Sequence, residues 1–238
     1  MAGFGVGSEA GVFAAAAVLG VTHGFEPDHA AGISALTDDA DGWRHAGFVG
    51  GSFALGHVLV VVAWVGLLTA IDRTAVPAAG VVDTVGTLFA GTVLVAVALL
   101  LATTGTRRLR GLPPHPTPAG ASGPVSRTIA YAHTHVHGHD HDTTRDYLRT
   151  GIVGSLFALS PPVSMLALVS VVLPTAGLGA TGVSVGVYAL ALTASMLLVG
   201  LGLGGVFSFA KRRGHAVHAT VELVASVVVF GFAVHLLA

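Results

Sequence analysis

Residues 150–210 contain no Asp, Glu, Lys or Arg. About 20 apolar residues suffice for one helix to cross a bilayer, so this run is too long for a single span. The Pro174-Thr-Ala-Gly177 stretch within it supplies a turn that divides it into two. Residues 46–71 and 84–106 lack the same four residue types. Two further apolar stretches, 9–35 and 216–238, carry Glu26 and Asp28 in the first and Glu222 in the last. The expected fold class is an all-α polytopic membrane protein with six transmembrane helices, at about 9–35, 46–71, 82–105, 150–173, 179–209 and 216–237. Composition agrees: 10% of residues are charged, against about 25% in an ordinary soluble domain.

Lys and Arg collect on the cytoplasmic side of membrane proteins, which tests the count of spans. With six helices, Arg44, Arg107, Arg108, Arg110, Arg127, Arg145, Arg149, Lys211, Arg212 and Arg213 share one side, and Arg73 alone is on the other. Both termini are then expected to be extracytoplasmic. The chain divides into helices 1–3 (residues 1–106), a cytoplasmic loop (107–149) and helices 4–6 (150–238), in a multi-pass protein of the plasma membrane. The first ten residues lack a basic n-region, so the first span is expected to be retained. A net charge of −1 gives no basic surface for nucleic acid, and the lack of cysteine removes disulfides and thiolate metal sites.

Small-xxx-small pairs at Gly20/Gly24, Gly47/Gly51, Gly182/Gly186 and Gly200/Gly204 allow helix backbones to approach closely. They indicate compact packing, are compatible with an oligomer, and carry no function of their own.

The first span contains His23-Gly-Phe-Glu26-Pro27-Asp28-His29. Ionisable groups inside a bilayer are costly and usually line a site or a path. On an unbroken helix His23, Asp28 and His29 would diverge. Pro27 cannot donate to the His23 carbonyl and biases Glu26 away from helical geometry, so an opened segment can aim the imidazoles and a carboxylate into one cavity. The second span carries one ionisable side chain, His57, expected at a depth similar to that of His23. Imidazole with carboxylate suits Ni, Co, Zn and Cu(II). The expected metal residues are His23, Asp28, His29 and His57, with Glu26 a ligand, a ligand-orienting group or an exposed cap.

The second half echoes the first. Pro161 in Ser160-Pro161-Pro162 matches Pro27, Tyr188-Ala-Leu echoes Phe53-Ala-Leu, and Asp83 and Glu222 each open a span. Two three-helix halves would be inverted repeats, and proline-broken spans in matching positions point to a midplane substrate site. Ser160, Ser164, Thr193 and Ser195 are expected to add polar contacts or line the path, and Met165 and Met196 to pack. The loop between the halves carries His133, His135, His137, His139 and His141, with Asp140 and Asp142, a flexible collector for divalent transition metals.

With His23, Asp28 and His29 followed by Leu55-Gly56-His57, the chain resembles the nickel/cobalt transporter superfamily, whose signature is His-x4-Asp-His in a membrane helix. Six helices and a His-rich loop after the third are most similar to its efflux branch, while eight-helix uptake permeases share the signature. The branch's Pro-Cys-Pro-like element is here Pro161-Pro162-Val163. The resemblance implies transport of nickel or cobalt, with His23, Asp28, His29 and His57 as metal-pathway residues, in either direction. The ion is cargo, and no permanent cofactor is expected. There is no Walker motif to bind ATP and no His-Glu-x-x-His to suggest a metalloenzyme, so no catalytic residues are expected. Alternative readings are a haem-binding electron carrier using His23 and His57, and a metal sensor or accessory protein binding through its loop.

Overall fold

A computed structural model describes residues 9–37, 42–70, 79–113, 150, 152 and 163–238. These residues form six helices: α1 (Glu9–Gly24), α2 (Pro27–Thr37), α3 (Trp43–Ala70), α4 (Ala79–Leu109), α5 (Val163–Arg213) and α6 (His215–Leu237). Four of them, α3 to α6, are long and apolar enough to cross a membrane. Their outer faces expose large apolar side chains such as Leu59, Leu190, Val227 and Val228. Contiguous apolar exposure of this kind suits contact with lipid tails.

The first expected span is two helices. Phe25 and Glu26 leave helical geometry between α1 and α2, and α1 is a short apolar helix of 16 residues. Phe25 N donates to the carbonyls of Val21 and Thr22, both at 3.2 Å, and Glu26 N donates to His23 O at 3.0 Å. Pro27 then takes the first helical position of α2, where its missing N–H costs nothing. Asp28 in the first turn is favourable at the positive end of the helix dipole. Ala30 N donates to Glu26 O at 3.2 Å, closing that turn.

The 51 residues of α5 contain a reversal at Gly177, with φ 78° and ψ −178°, backbone angles that favour glycine. Ser164 Oγ and Tyr188 Oη are 3.2 Å apart, although 24 helical residues would separate them by about 36 Å along a straight axis. The chain therefore doubles back, and Met165, Leu168 and Val172 of the first leg pack in one core with Tyr188, Leu192 and Met196 of the second. This is the turn expected at Pro174 to Gly177.

Among the described residues, two cores organise the helices. The larger joins α1, α2, α3 and α5 through Ala16, Ile33, Phe53, Val61, Leu168 and Tyr188. The smaller joins α4 and α6 through Leu94, Ala98, Val229 and Ala233, and α2 reaches it with Ala31. Close approach explains several of the small residues. A Cβ on Gly24 would collide with Ser195 Oγ and lie 3.0 Å from Leu192 O, and one on Gly200 would collide with Ala46 O. The Gly182/Gly186 pair departs from expectation, because a Cβ at either position meets nothing within 4 Å among the described residues. That pair brings no described helices together.

Candidate metal centre

His23 stands in the last turn of α1, His29 in the first turn of α2, and His57 near the middle of the 28-residue α3. The break at Phe25 and Glu26 lets two imidazoles six residues apart turn towards one another. Their rings are 4.7 Å apart, nearly perpendicular at 89°. Both α1 and α3 pack on α5, and the α1 glycines permit the approach that places His57 against them. His57 lies 4.7 Å from His29 and 5.3 Å from His23, ring centre to ring centre. All three are buried, at 7%, 0% and 2% exposure for His23, His29 and His57.

Hydrogen bonds orient the ring nitrogens. His29 Nδ1 lies 2.8 Å from His23 O, and a carbonyl only accepts, so Nδ1 carries the proton and Nε2 keeps its lone pair. That buried Nε2 has no hydrogen-bond partner. His23 Nδ1 lies 2.9 Å from Glu26 Oε2, and donating there likewise leaves His23 Nε2 as an acceptor. This pattern, one ring nitrogen fixed by an oxygen acceptor and the other presented, is how protein metal sites hold imidazole ligands.

His23 Nε2 and His57 Nε2 are 3.2 Å apart. Two nitrogens bound to one tetrahedral ion at about 2.0–2.1 Å would be roughly 3.3 Å apart, so the pair stands close to the spacing of adjacent ligands. One ligand atom from each of the three histidines can be chosen so that all lie within 4.8 Å of one another. The donor set is neutral nitrogen in a buried setting, which selects borderline divalent ions over Mg²⁺ and Ca²⁺, whose preference is for oxygen.

The carboxylates stand to one side of the three imidazoles. Glu26, Asp28 and His29 form a second, overlapping group with ligand atoms within 4.8 Å. Asp28 Oδ1 accepts from His29 N at 2.9 Å and lies 3.8 Å from His29 Nδ1. The Glu26 side chain is 49% exposed and that of Asp28 20%, so they form the more open edge of the cluster.

Of the other expected residues, Ser164 is bound to Tyr188, and Thr193 Oγ1 donates to Ala189 O in its own helix at 2.8 Å. Ser195 donates within α5 to Ala191 O and Leu192 O. Met165 and Met196 are packed in the larger core. Ser160 and the loop residues His133, His135, His137, His139 and His141 lie outside the described residues.

Two neighbours of the site went unassigned in the sequence. The Tyr188 ring is 6.1 Å from His23 and the Phe53 ring 6.3 Å from His29. Their signal was present as the paired Phe53-Ala-Leu and Tyr188-Ala-Leu segments. No role was assigned to His218, which stands with Arg108 beside Glu222 where the end of α4 meets the start of α6. Comparison with protein-family models, with curated proteins and with solved structures found no match to the chain.

Proposed function

We propose that the chain is a secondary carrier that moves a divalent transition-metal cation, nickel or cobalt first, across the plasma membrane. The observation that carries this reading is the meeting of His23, His29 and His57 in a buried cluster, with two Nδ1 atoms held by oxygen acceptors and the Nε2 atom of His29 free to bind. The position of His57 near the middle of an apolar helix of membrane-spanning length supports a midplane site. The His-x4-Asp-His resemblance to nickel/cobalt transporters and the doubled-back α5 support the same reading, with six spans, inverted halves and both termini outside. Asp28 and Glu26 serve as the approach to the buried nitrogens, and the His-rich loop gathers the ion on the cytoplasmic side.

A bis-histidine haem fits this geometry less well. An iron between His23 and His57 needs its two axial nitrogens about 4 Å apart with a porphyrin plane between them, whereas these nitrogens are 3.2 Å apart.

The test is radiolabelled nickel and cobalt accumulation in cells producing the wild type or His23→Ala, Asp28→Ala, His29→Ala and His57→Ala. Transport is expected to be lost in the variants with membrane insertion intact, and the sign of accumulation gives the direction. Unchanged flux in all four variants would refute the site.

A further inference from the structure

A second polar cluster lies apart from the histidines, where the end of α4 meets the start of α6. Glu222 is fully buried, and His218, one turn earlier on α6, is 2% exposed. Arg108, in the last turn of α4, donates from Nε to Glu222 Oε1 at 2.9 Å, and His218 Nε2 lies 3.7 Å from the same oxygen. Arg108 from α4 and His218 from its own helix face Glu222, while α5 places the Phe207 ring 6.1 Å from that of His218. A cavity of about 630 Å³, partly open to the surface, is lined by Arg108, Leu112 and His215 among others. Arg108 thus has one side towards space large enough for water and the other towards a carboxylate that has no exposure.

We propose that Glu222 is a proton-binding site of the carrier, with Arg108 and His218 as its partners, and that proton counterflow through it drives the movement of the metal. This rests on the metal-carrier reading above. A proton entering from the cavity past Arg108, which lines it and bonds Glu222, adds to the Glu222 carboxylate, giving a neutral carboxylic acid. Arg108 keeps its charge and turns towards the cavity, and the return of the proton to water restores the ion pair. No other bond is made or broken.

The link to the histidines is the short helix α2. Its residue Ala31 is packed between Leu94 and Ala98 of α4 and Val229 and Ala233 of α6, two positions after His29. Ser226 Oγ also donates to Ala98 O at 2.9 Å across the α4 and α6 contact. Loosening the ion pair frees α4 and α6 to shift against one another. That shift moves the seat of α2, and with it the imidazole that completes the metal cluster.

The experiment uses the full chain in proteoliposomes, with the membrane potential clamped by potassium and valinomycin, and reads nickel accumulation with and without an imposed pH gradient. If one proton exchanges per cation, each pH unit is expected to give about tenfold accumulation in the wild type. Glu222→Gln and the charge-neutral pair Arg108→Gln with Glu222→Gln should still insert and let nickel run down its own gradient, yet accumulate none above the level without a pH gradient. Glu222→Asp should keep a gradient response. A gradient response retained in a Gln variant would overturn the proposal, and so would wild-type nickel flux indifferent to the gradient, which leaves the carrier reading standing. Absence of any wild-type nickel flux would bring down both. If Glu222→Gln alone does not fold, the double variant, which leaves no unpaired arginine, decides.

Discussion

The backbone carbonyl of His23 accepts a 2.8 Å hydrogen bond from Nδ1 of His29. In an unbroken helix that carbonyl would bond the N–H of residue 27, and residue 27 is proline. That carbonyl also accepts from Glu26 N at 3.0 Å, and with no N–H at residue 27 to compete it sets the tautomer of a candidate metal ligand. A local backbone defect and the chemistry of the site have a common origin.

Pro27→Ala tests that relationship. The new N–H competes for the His23 carbonyl, and the penalty of about 3 kcal/mol that proline sets against a helix running uninterrupted through this position is lifted. The α1 helix is expected to run on, releasing His29 from its partner. Nickel affinity measured by calorimetry on the detergent-purified protein should fall by about 10–100-fold, the range seen when a ligand-orienting group is lost. Membrane insertion should be unaffected, and unchanged affinity would show that the carbonyl does not orient His29.

Glu26→Gln removes the carboxylate charge at His23 Nδ1 and keeps the side chain's size. A weaker acceptor leaves the His23 ring less firmly held, and nickel affinity is expected to drop by about 10–100-fold. His23→Ala should lose more than Glu26→Gln. The reverse order, read in the same calorimeter, would make Glu26 the ligand and His23 its support.

Gly24→Val should destabilise the fold, because its Cβ would collide with Ser195 Oγ. Overpacking of this kind costs about 1–3 kcal/mol. Gly182→Val adds a side chain where nothing lies within 4 Å among the described residues, and its effect should stay within about 0.5 kcal/mol. Thermal unfolding in detergent compares the two, and equal effects would contradict the packing described for α1 against α5.

Tyr188→Phe and Ser164→Ala each remove the hydrogen bond that ties the two legs of α5. Each should lose about 0.5–1.5 kcal/mol. Because both act on one contact, the double variant should be little worse than either single one. Additive losses in a double-mutant cycle would mean that the two hydroxyls stabilise the hairpin independently.

Deleting residues 113–142 removes six histidines, His115 among them, while leaving His23, His29 and His57 in place. Nickel flux is expected to persist at a reduced level when external metal is scarce. Complete loss of both flux and binding would favour a protein that binds metal through its loop alone.

The helical character of the chain and the four long apolar helices α3 to α6 followed from the sequence by itself. So did the break at Pro27 and the reversal near Gly177, because these depend on nearby residues: charge-free length, a missing N–H, and backbone angles that favour glycine. Tertiary structure decided which side chains meet. In a helix surrounded by lipid on one side and apolar core on the other, both faces are apolar, and no polar stripe marks the rotation that faces the interior. The contact of His57 with His23, the placement of Asp28 beside rather than within the three imidazoles, the nearness of Tyr188, and the Arg108 to Glu222 pair all depend on that rotation and on contacts between distant segments.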